Sequence, residues 1–208
     1  MKNFSKIIVL IFSSLLIFCL SACASENTSN NEANTTTQNT TNTQETTNNN
    51  KILVAYFSCT GNTENVAKQI ATVTNGDLYT IEPTQPYTDA DLRYNDNTTR
   101  ATKEQHDTTI RPAINKTLDN INQYDVIFIG YPIWWDQAPR VINTFLESYD
   151  FSGKTIIPFC TSGGSGIENS VNQLKSTYNN ITILDGQRFN SNVSQDEVST
   201  WINSLNIK

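Results

Sequence analysis

The sequence predicts an α/β fold in which five parallel strands form a doubly wound sheet with the order 2-1-3-4-5. Five strand-like segments alternate with helical segments along residues 51–208, a length typical of one domain. The strand segments are continuous apolar runs, as expected for parallel strands covered by helices on both faces. Right-handed crossovers leave few other topologies, and such sheets bind ligands beyond the carboxyl ends of their strands, where the strand order reverses.

The first elements are marked by simple patterns. Residues 51–57 are an apolar, β-rich run, which predicts a buried strand. From Glu64 to Val73 the apolar residues recur at spacings of four and three, which predicts an amphipathic helix. A second strand is predicted at 77–81, followed by a long polar connection at 83–124 with helix in 89–107 and one or two turns in 112–121.

The second half of the domain repeats the alternation. Residues 125–131 predict a third strand, and Pro139 fits the first turn of a helix that ends at Tyr149. Within the fourth strand, 154–160, Pro158 cannot donate a ladder hydrogen bond and therefore predicts a bulge or strand end nearby. A helix at 167–178, a strand at 181–184 and a last helix with a Ser194–Glu197 capping box complete the fold.

The turn between the first strand and helix has a composition that suits a phosphate group. It reads Ser58-Cys59-Thr60-Gly61-Asn62-Thr63. Its hydroxyls can donate hydrogen bonds, Gly61 permits close backbone approach, and the helix N-terminus offers unpaired N–H groups and a positive dipole end. An ordinary turn in which Ser or Thr caps the helix explains these residues equally well at this stage. Neither a P-loop nor a GxGxxG turn is present.

Two further turns of unusual composition face the same crevice. The third strand leads into Tyr131-Pro132-Ile133-Trp134-Trp135-Asp136, whose large aromatic side chains favour stacking on a flat ring. The alternative is that one tryptophan fills the core. The fourth strand leads into Thr161-Ser162-Gly163-Gly164-Ser165-Gly166, whose small residues let backbone N–H groups approach a heterocycle; the alternative is a flexible loop.

These turns, with Tyr56-Phe57 before the first of them and Phe145-Leu146-Glu147 later, match one known family. The chain from Lys51 to about Gly186 resembles the flavodoxin family, most closely the flavodoxin-like proteins of anaerobic bacteria. The resemblance implies FMN as cofactor. It places the phosphate at Ser58, Cys59, Thr60, Gly61, Asn62 and Thr63, the isoalloxazine beside Pro132, Ile133, Trp134 and Trp135, and its pyrimidine edge at Thr161, Ser162, Gly163 and Gly164.

Two residues depart from the family pattern. Cys59 occupies a phosphate-turn position that is often basic or polar in relatives. We expect its thiol to be inert, because a neighbouring dianion disfavours the thiolate. Asp136 stands where relatives often have glycine, and Asp tolerates positive φ less well than Gly does.

The first 23 residues resemble a bacterial lipoprotein signal. Lys2 and Lys6 precede an apolar core, and Leu20-Ser21-Ala22-Cys23 follows it, so that cleavage would leave Cys23 as a lipidated N-terminus. A plain secretory signal or an uncleaved anchor is the alternative. Residues 24–50 are nearly all Asn, Thr, Gln, Ser and Glu, which predicts a disordered tether. We therefore expect residues 51–208 to be held at the outer face of the cytoplasmic membrane.

Composition excludes several classes of function. Without Lys2 and Lys6 the chain has 12 basic residues against 20 acidic ones, a net charge of −8 that argues against nucleic acid as a partner. A single histidine, His106, leaves no Ser/His/Asp grouping and no metal-ligand spacing, so we predict neither catalytic side chains nor a metal site. Cys59 follows the first predicted strand and Cys160 ends the fourth, and one strand lies between these two in the sheet. The two cysteines are therefore expected to lie about 10 Å apart, which is too far for a disulfide.

The favoured function is electron transfer by bound FMN to a redox partner protein or a small acceptor. The alternative is an NAD(P)H-dependent FMN reductase of quinones or other small acceptors. The polar connection would then build the second pocket, from Tyr87, Arg93, Tyr94, Arg100 and Arg111. A flavin-binding interaction module without redox turnover is the third possibility.

Overall fold

The computed structural model describes residues 50–207, which form a parallel sheet flanked by helices. The predicted signal segment with Cys23 and the predicted tether up to residue 49 lie outside the described residues. The strands are β1 Ile52–Tyr56, β2 Asp77–Thr80, β3 Val126–Pro132, β4 Thr155–Thr161, β5 Thr182–Ile183 and β6 Gln187–Phe189. The helices are α1 Asn62–Thr74, α2 Arg100–His106, α3 Arg140–Ser148, α4 Glu168–Thr177 and α5 Gln195–Ser204, with a 3₁₀ turn at Ile121–Gln123.

The strand order β2-β1-β3-β4-β5 confirms the predicted fold, and every pair of neighbouring strands is parallel. Side chains of β1 alternate between two hydrophobic cores, as the period of a strand requires. Leu53 and Ala55 pack with α3 and α4 on one face, and Val54 and Tyr56 pack with α1 and α5 on the other. Within residues 50–207, no helix has the length and apolar character needed to cross a bilayer.

The outer strand is broken in two, which adds the short strand β6 to the predicted five. Ile156 pairs with Ile183 and Phe159 with Gln187, so two residues of β4 lie opposite three residues of the outer strand. This arrangement is a β-bulge, and it lies beside Pro158, where the sequence predicts one because proline has no N–H to donate. The break redirects the chain, and β6 then carries residues 190–192 to the carboxyl edge of the sheet.

The polar connection contains less helix than predicted. Helix α2 begins only after Thr99, whose side chain accepts a hydrogen bond from the Thr102 N–H, and the predicted turns in 112–121 reduce to the 3₁₀ turn that begins at Ile121. Before α2, the Asp91 and Asp96 carboxylates accept hydrogen bonds from the backbone of nearby threonines. Such local side-chain bonds compete with helix formation. By contrast, the predicted capping box of α5 is confirmed.

The described chain enters and leaves the domain at one place. The Asn50 side-chain amide donates a hydrogen bond of 3.1 Å to the Ile207 carbonyl. Asn50 lies just before β1, at the amino ends of the strands. The five residues of β1 span about 17 Å, so the chain enters at the sheet edge opposite to the carboxyl ends.

Candidate functional site

The three predicted turns meet around a polar cavity of about 430 Å³ at the carboxyl ends of the strands. Seven of the predicted site residues line it: Thr60, Asn62, Pro132, Ile133, Thr161, Ser162 and Gly163. Residues of the loop after β6 complete the wall: Asn190, Ser191 and Asn192. Sequence reasoning missed these three because it did not predict β6.

The first turn leaves the start of α1 uncapped by any described side chain. Gly61 is the N-cap residue, with φ 82°, and no side-chain oxygen caps the helix. The Ser58 hydroxyl instead accepts a hydrogen bond of 3.1 Å from the Gly61 N–H, outside the helix. The alternative of a Ser- or Thr-capped turn is therefore wrong, and the helix dipole and its free N–H groups remain available to an anion.

Thr63 and Cys59, two predicted residues of this turn, do not line the polar cavity. The Thr63 hydroxyl is buried and shares a 2.7 Å hydrogen bond with the Thr161 hydroxyl, which fixes the first turn to the third. Cys59 is exposed as a residue, yet desolvation of its sulfur raises the pKa of the thiol to about 12, against the opposing effect of Arg100. Burial of the sulfur is therefore a second reason, besides a neighbouring dianion, to expect a poorly reactive Cys59 thiol.

The second turn is a tight hairpin. The backbones of Trp134 and Gln137 exchange two hydrogen bonds of 3.0 Å, and the two residues between them have positive φ, 47° at Trp135 and 57° at Asp136. Positive φ at both central positions defines a type I′ turn, which normally contains Asn or Gly. A tryptophan in this conformation is strained, so neighbouring structure must hold the turn.

Gln105 of α2 holds this turn in place. The residue is 1% exposed, and its amide nitrogen donates hydrogen bonds to the carbonyls of Trp134 (3.1 Å) and Ala138 (3.3 Å). Its amide oxygen accepts from the Arg140 backbone N–H at 3.2 Å. The Arg140 guanidinium adds a 2.7 Å bond to the Gln137 side chain. No local sequence pattern indicated Gln105, since its role depends on where α2 packs.

An aromatic cavity of about 350 Å³ adjoins the polar one. Its lining comprises Leu92, Tyr94, Ala101, Ile133, Trp134 and Trp135, and Ile133 lines both cavities. Trp134 also packs edge-on against Phe57 and Tyr87, with ring centroids 5.6 Å and 5.2 Å away. Trp134 therefore supports the core and also lines the cavity, where stacking on a flat ring stays a prediction.

The other residues predicted for a second pocket are mostly engaged elsewhere. Arg100 pairs with the Glu104 carboxylate at 2.6 Å and lies over the ring of Tyr87, whose hydroxyl donates to the same carboxylate. Burial and then Glu104 raise the pKa of Tyr87 well above its usual value. Arg111 binds the Glu147 carboxylate at 2.8 Å. Tyr94 alone of the five predicted residues lines the aromatic cavity.

The two cavities together fit a ligand with an anionic polar end and a flat apolar ring. Hydroxyls, amides and backbone groups line the polar cavity, and no carboxylate of residues 50–207 lines either cavity. Among residues 50–207, no group of three His, Cys, Asp or Glu side chains is placed to hold a metal ion. Cys59 and Cys160 are both free thiols in the described part of the chain.

Comparison with known proteins identifies similar sequences and structures. The profile of the Flavodoxin family matches residues 51–205. A structure assigned as a flavoprotein from Bacteroides eggerthii is 47% identical, covers 76% of this chain and 99% of its own, and has a TM-score of 0.73. Another, from Bacteroides uniformis, is 46% identical, covers 74% and 98%, and has a TM-score of 0.72.

A more distant structure has the same fold. It is a flavoprotein in complex with FMN from Lactobacillus acidophilus, 22% identical, covering 74% of this chain and 99% of its own, with a TM-score of 0.59. Its similarity concerns the fold alone. No curated protein sequence matches the chain significantly.

Proposed function

The chain belongs to the flavodoxin family, whose cofactor is FMN, and we propose that it binds FMN in the paired cavities and carries electrons. The observation that supports this most is the polar cavity at the uncapped start of α1, joined through Ile133 to an aromatic cavity. FMN, when bound, supplies the redox chemistry, and the protein supplies binding, orientation and electrostatics.

The first-turn side of the polar cavity would hold the phosphate end, and its third-turn side, at Thr161, Ser162 and Gly163, would contact the pyrimidine edge of the ring. Thr60 and Asn62 contribute a hydroxyl and an amide, and the first turn of α1 contributes free backbone N–H groups. Trp134 and Trp135 would contact the ring, and the Gln105 bonds would keep their turn in one conformation. The absence of carboxylates from the lining keeps like charge away from a phosphate dianion.

Reduction by a nicotinamide nucleotide is the second candidate function. The aromatic cavity favours it, because Tyr94 is 76% exposed at its rim and offers a ring to an incoming planar molecule. The pairing of Arg100 and Arg111 with carboxylates counts against it, since neither guanidinium is free to bind a nucleotide phosphate. We therefore favour a carrier that exchanges electrons with a protein partner.

One titration tests cofactor binding and a second separates the two functions. We expect FMN to bind at least tenfold more tightly than riboflavin, because only FMN carries the phosphate that the first turn would hold. Equal affinities, measured by quenching of flavin fluorescence, would contradict the phosphate site.

For the FMN-loaded protein under anaerobic conditions, we expect NADH and NADPH to leave the flavin absorbance unchanged while dithionite bleaches it. Rapid bleaching by either nucleotide would instead support the reductase.

We further propose that Cys23 carries the lipid that anchors the protein at the outer face of the cytoplasmic membrane. The support is the sequence Leu20-Ser21-Ala22-Cys23 after an apolar core, followed by a polar tether. Replacing Cys23 with alanine is expected to prevent lipidation and its associated cleavage. Mass spectrometry of the wild-type N-terminus should find acyl chains on Cys23. An unmodified cysteine, or cleavage elsewhere, would refute the anchor.

A further inference from the structure

Arg188 of β6 connects two walls of the polar cavity. Its Nη2 atom donates hydrogen bonds to the Ser162 carbonyl at 3.0 Å and to the Asn190 side-chain oxygen at 2.9 Å. Ser162 belongs to the third turn and Asn190 to the loop after β6, and both residues line the polar cavity. Arg188 itself lines a neighbouring cavity of about 580 Å³ that shares Asn190 and Asn192 with it.

Among the residues that the structure describes, the positive charge of Arg188 has no close counter-charge. Asp196 and Glu197 line the same neighbouring cavity, yet no carboxylate among residues 50–207 forms an ion pair with Arg188. Its Nε atom is buried and has no hydrogen-bond acceptor in this part of the chain. A buried N–H without an acceptor destabilises a fold, so stability alone does not explain the residue.

The charge acts on the third turn through the backbone. The peptide between Ser162 and Gly163 is trans, so its N–H points away from the carbonyl that Arg188 binds. A carbonyl that accepts from a cation polarises its peptide and makes the N–H a stronger donor. The Gly163 N–H is hydrogen-bonded to no described residue. Arg188 lies beside Cys160 at the end of β4, its register partner; burial raises the pKa of Cys160 to about 12, and Arg188 acts in the opposite direction.

We propose that Arg188 is a positioning residue that favours the reduced form of bound FMN by placing uncompensated positive charge behind the third turn. This inference rests on the proposed FMN site. Two electrons from a chemical reductant add negative charge to the flavin, which protons from solvent only partly neutralise. Positive charge near the ring therefore stabilises the reduced form more than the oxidised one, and charge near the ring is a known way for a protein to adjust a flavin.

The experiment is a reductive titration of the FMN-loaded protein with dithionite, in the presence of a reference dye. Arg188→Gln is expected to decrease the equilibrium constant for two-electron reduction about tenfold, which corresponds to about 30 mV. Arg188→Lys, which keeps the charge, should remain within about threefold of wild type. Lys51→Gln removes a positive charge at the opposite edge of the sheet and should leave the constant unchanged.

A second variant avoids the risk that Arg188→Gln fails to fold. Asn190 is exposed and already accepts a hydrogen bond from Arg188, so Asn190→Asp places a carboxylate against the guanidinium with little change of shape. It should decrease the same constant in the same direction. Unchanged constants in Asn190→Asp and in any folded Arg188→Gln would overturn the inference, as would equal shifts in Arg188→Gln and Arg188→Lys. If the wild type does not bind FMN, the proposed function itself fails.

Discussion

Alanine at Gly130 is expected to lower the free energy of unfolding by about 2 kcal/mol, although it adds only one methyl group. Gly130 lies in the middle of the sheet, paired with Tyr56 of β1 and Phe159 of β4. An added Cβ would overlap the ring of Phe159, which is fully buried and has no room to retreat. Urea denaturation of the FMN-free protein would measure the change.

Gly164→Ala is the matched control for this substitution. A Cβ at Gly164 would meet no atom within 4 Å, and its φ is not in the left-handed region. Its free energy of unfolding should stay within about 0.5 kcal/mol of wild type, or rise slightly because alanine restricts the unfolded chain. If the Gly130 and Gly164 variants were equally stable, close packing of Phe159 on β3 would not be the constraint that we infer.

Leucine at Gln105 is expected to cost about 3 kcal/mol of folding free energy and to weaken FMN binding about tenfold. The substitution keeps the volume but leaves the Ala138 carbonyl and the Arg140 N–H buried without their partner, and removes one of two bonds to the Trp134 carbonyl. Without Gln105, the strained turn at Trp135 would sample other conformations. Urea denaturation and flavin fluorescence titration would measure the two effects.

Gln173→Leu provides the same chemical change on the exposed surface of α4, where the glutamine side chain bonds no other described residue. It should change the free energy of unfolding by no more than about 0.5 kcal/mol, and it should leave the affinity for FMN unchanged. A Gln105→Leu variant that lost stability but bound FMN normally would show that the hydrogen bonds of Gln105 serve the fold alone. In that case, FMN binding would not require Gln105 to fix the conformation of the turn at Trp135.

The fold was predictable because its signals are local or nearly so. The apolar runs of β1, β3 and β4 and the Ser194–Glu197 capping box are each visible within a few residues. The break beside Pro158 could also be anticipated from one missing backbone donor. The position of the break could be predicted because proline has no N–H to donate. The strand β6 that follows the break could not be predicted, because Gln187–Phe189 has no apolar run.

The site was only half predictable, for a physical reason. Turns that directly follow strands, such as the one containing Gly61, are placed by the topology, so their convergence follows from strand order. Gln105 and Arg188 act through hydrogen bonds to Trp134 and Ser162, which lie far from them in sequence, and Asn190 reaches the cavity only because β6 packs there. Their positions depend on how the polar connection and β6 pack, and neither produces a periodic pattern.

The place where the chain enters the domain has a consequence for how an anchored protein would meet its partners. Asn50 lies at the amino ends of the strands, so a tether from Cys23 would attach at the end of the sheet opposite to the proposed FMN site and would not cover that site. A flexible tether of 27 residues would average about 30 Å, which confines the domain to a thin layer above the lipid. Within that layer, a donor anchored in the same membrane would be confined to the same small volume and would meet the domain more often than a freely diffusing donor would. Electron exchange would then be governed by lateral diffusion in two dimensions more than by affinity, so that a weak, short-lived complex would suffice for rapid turnover.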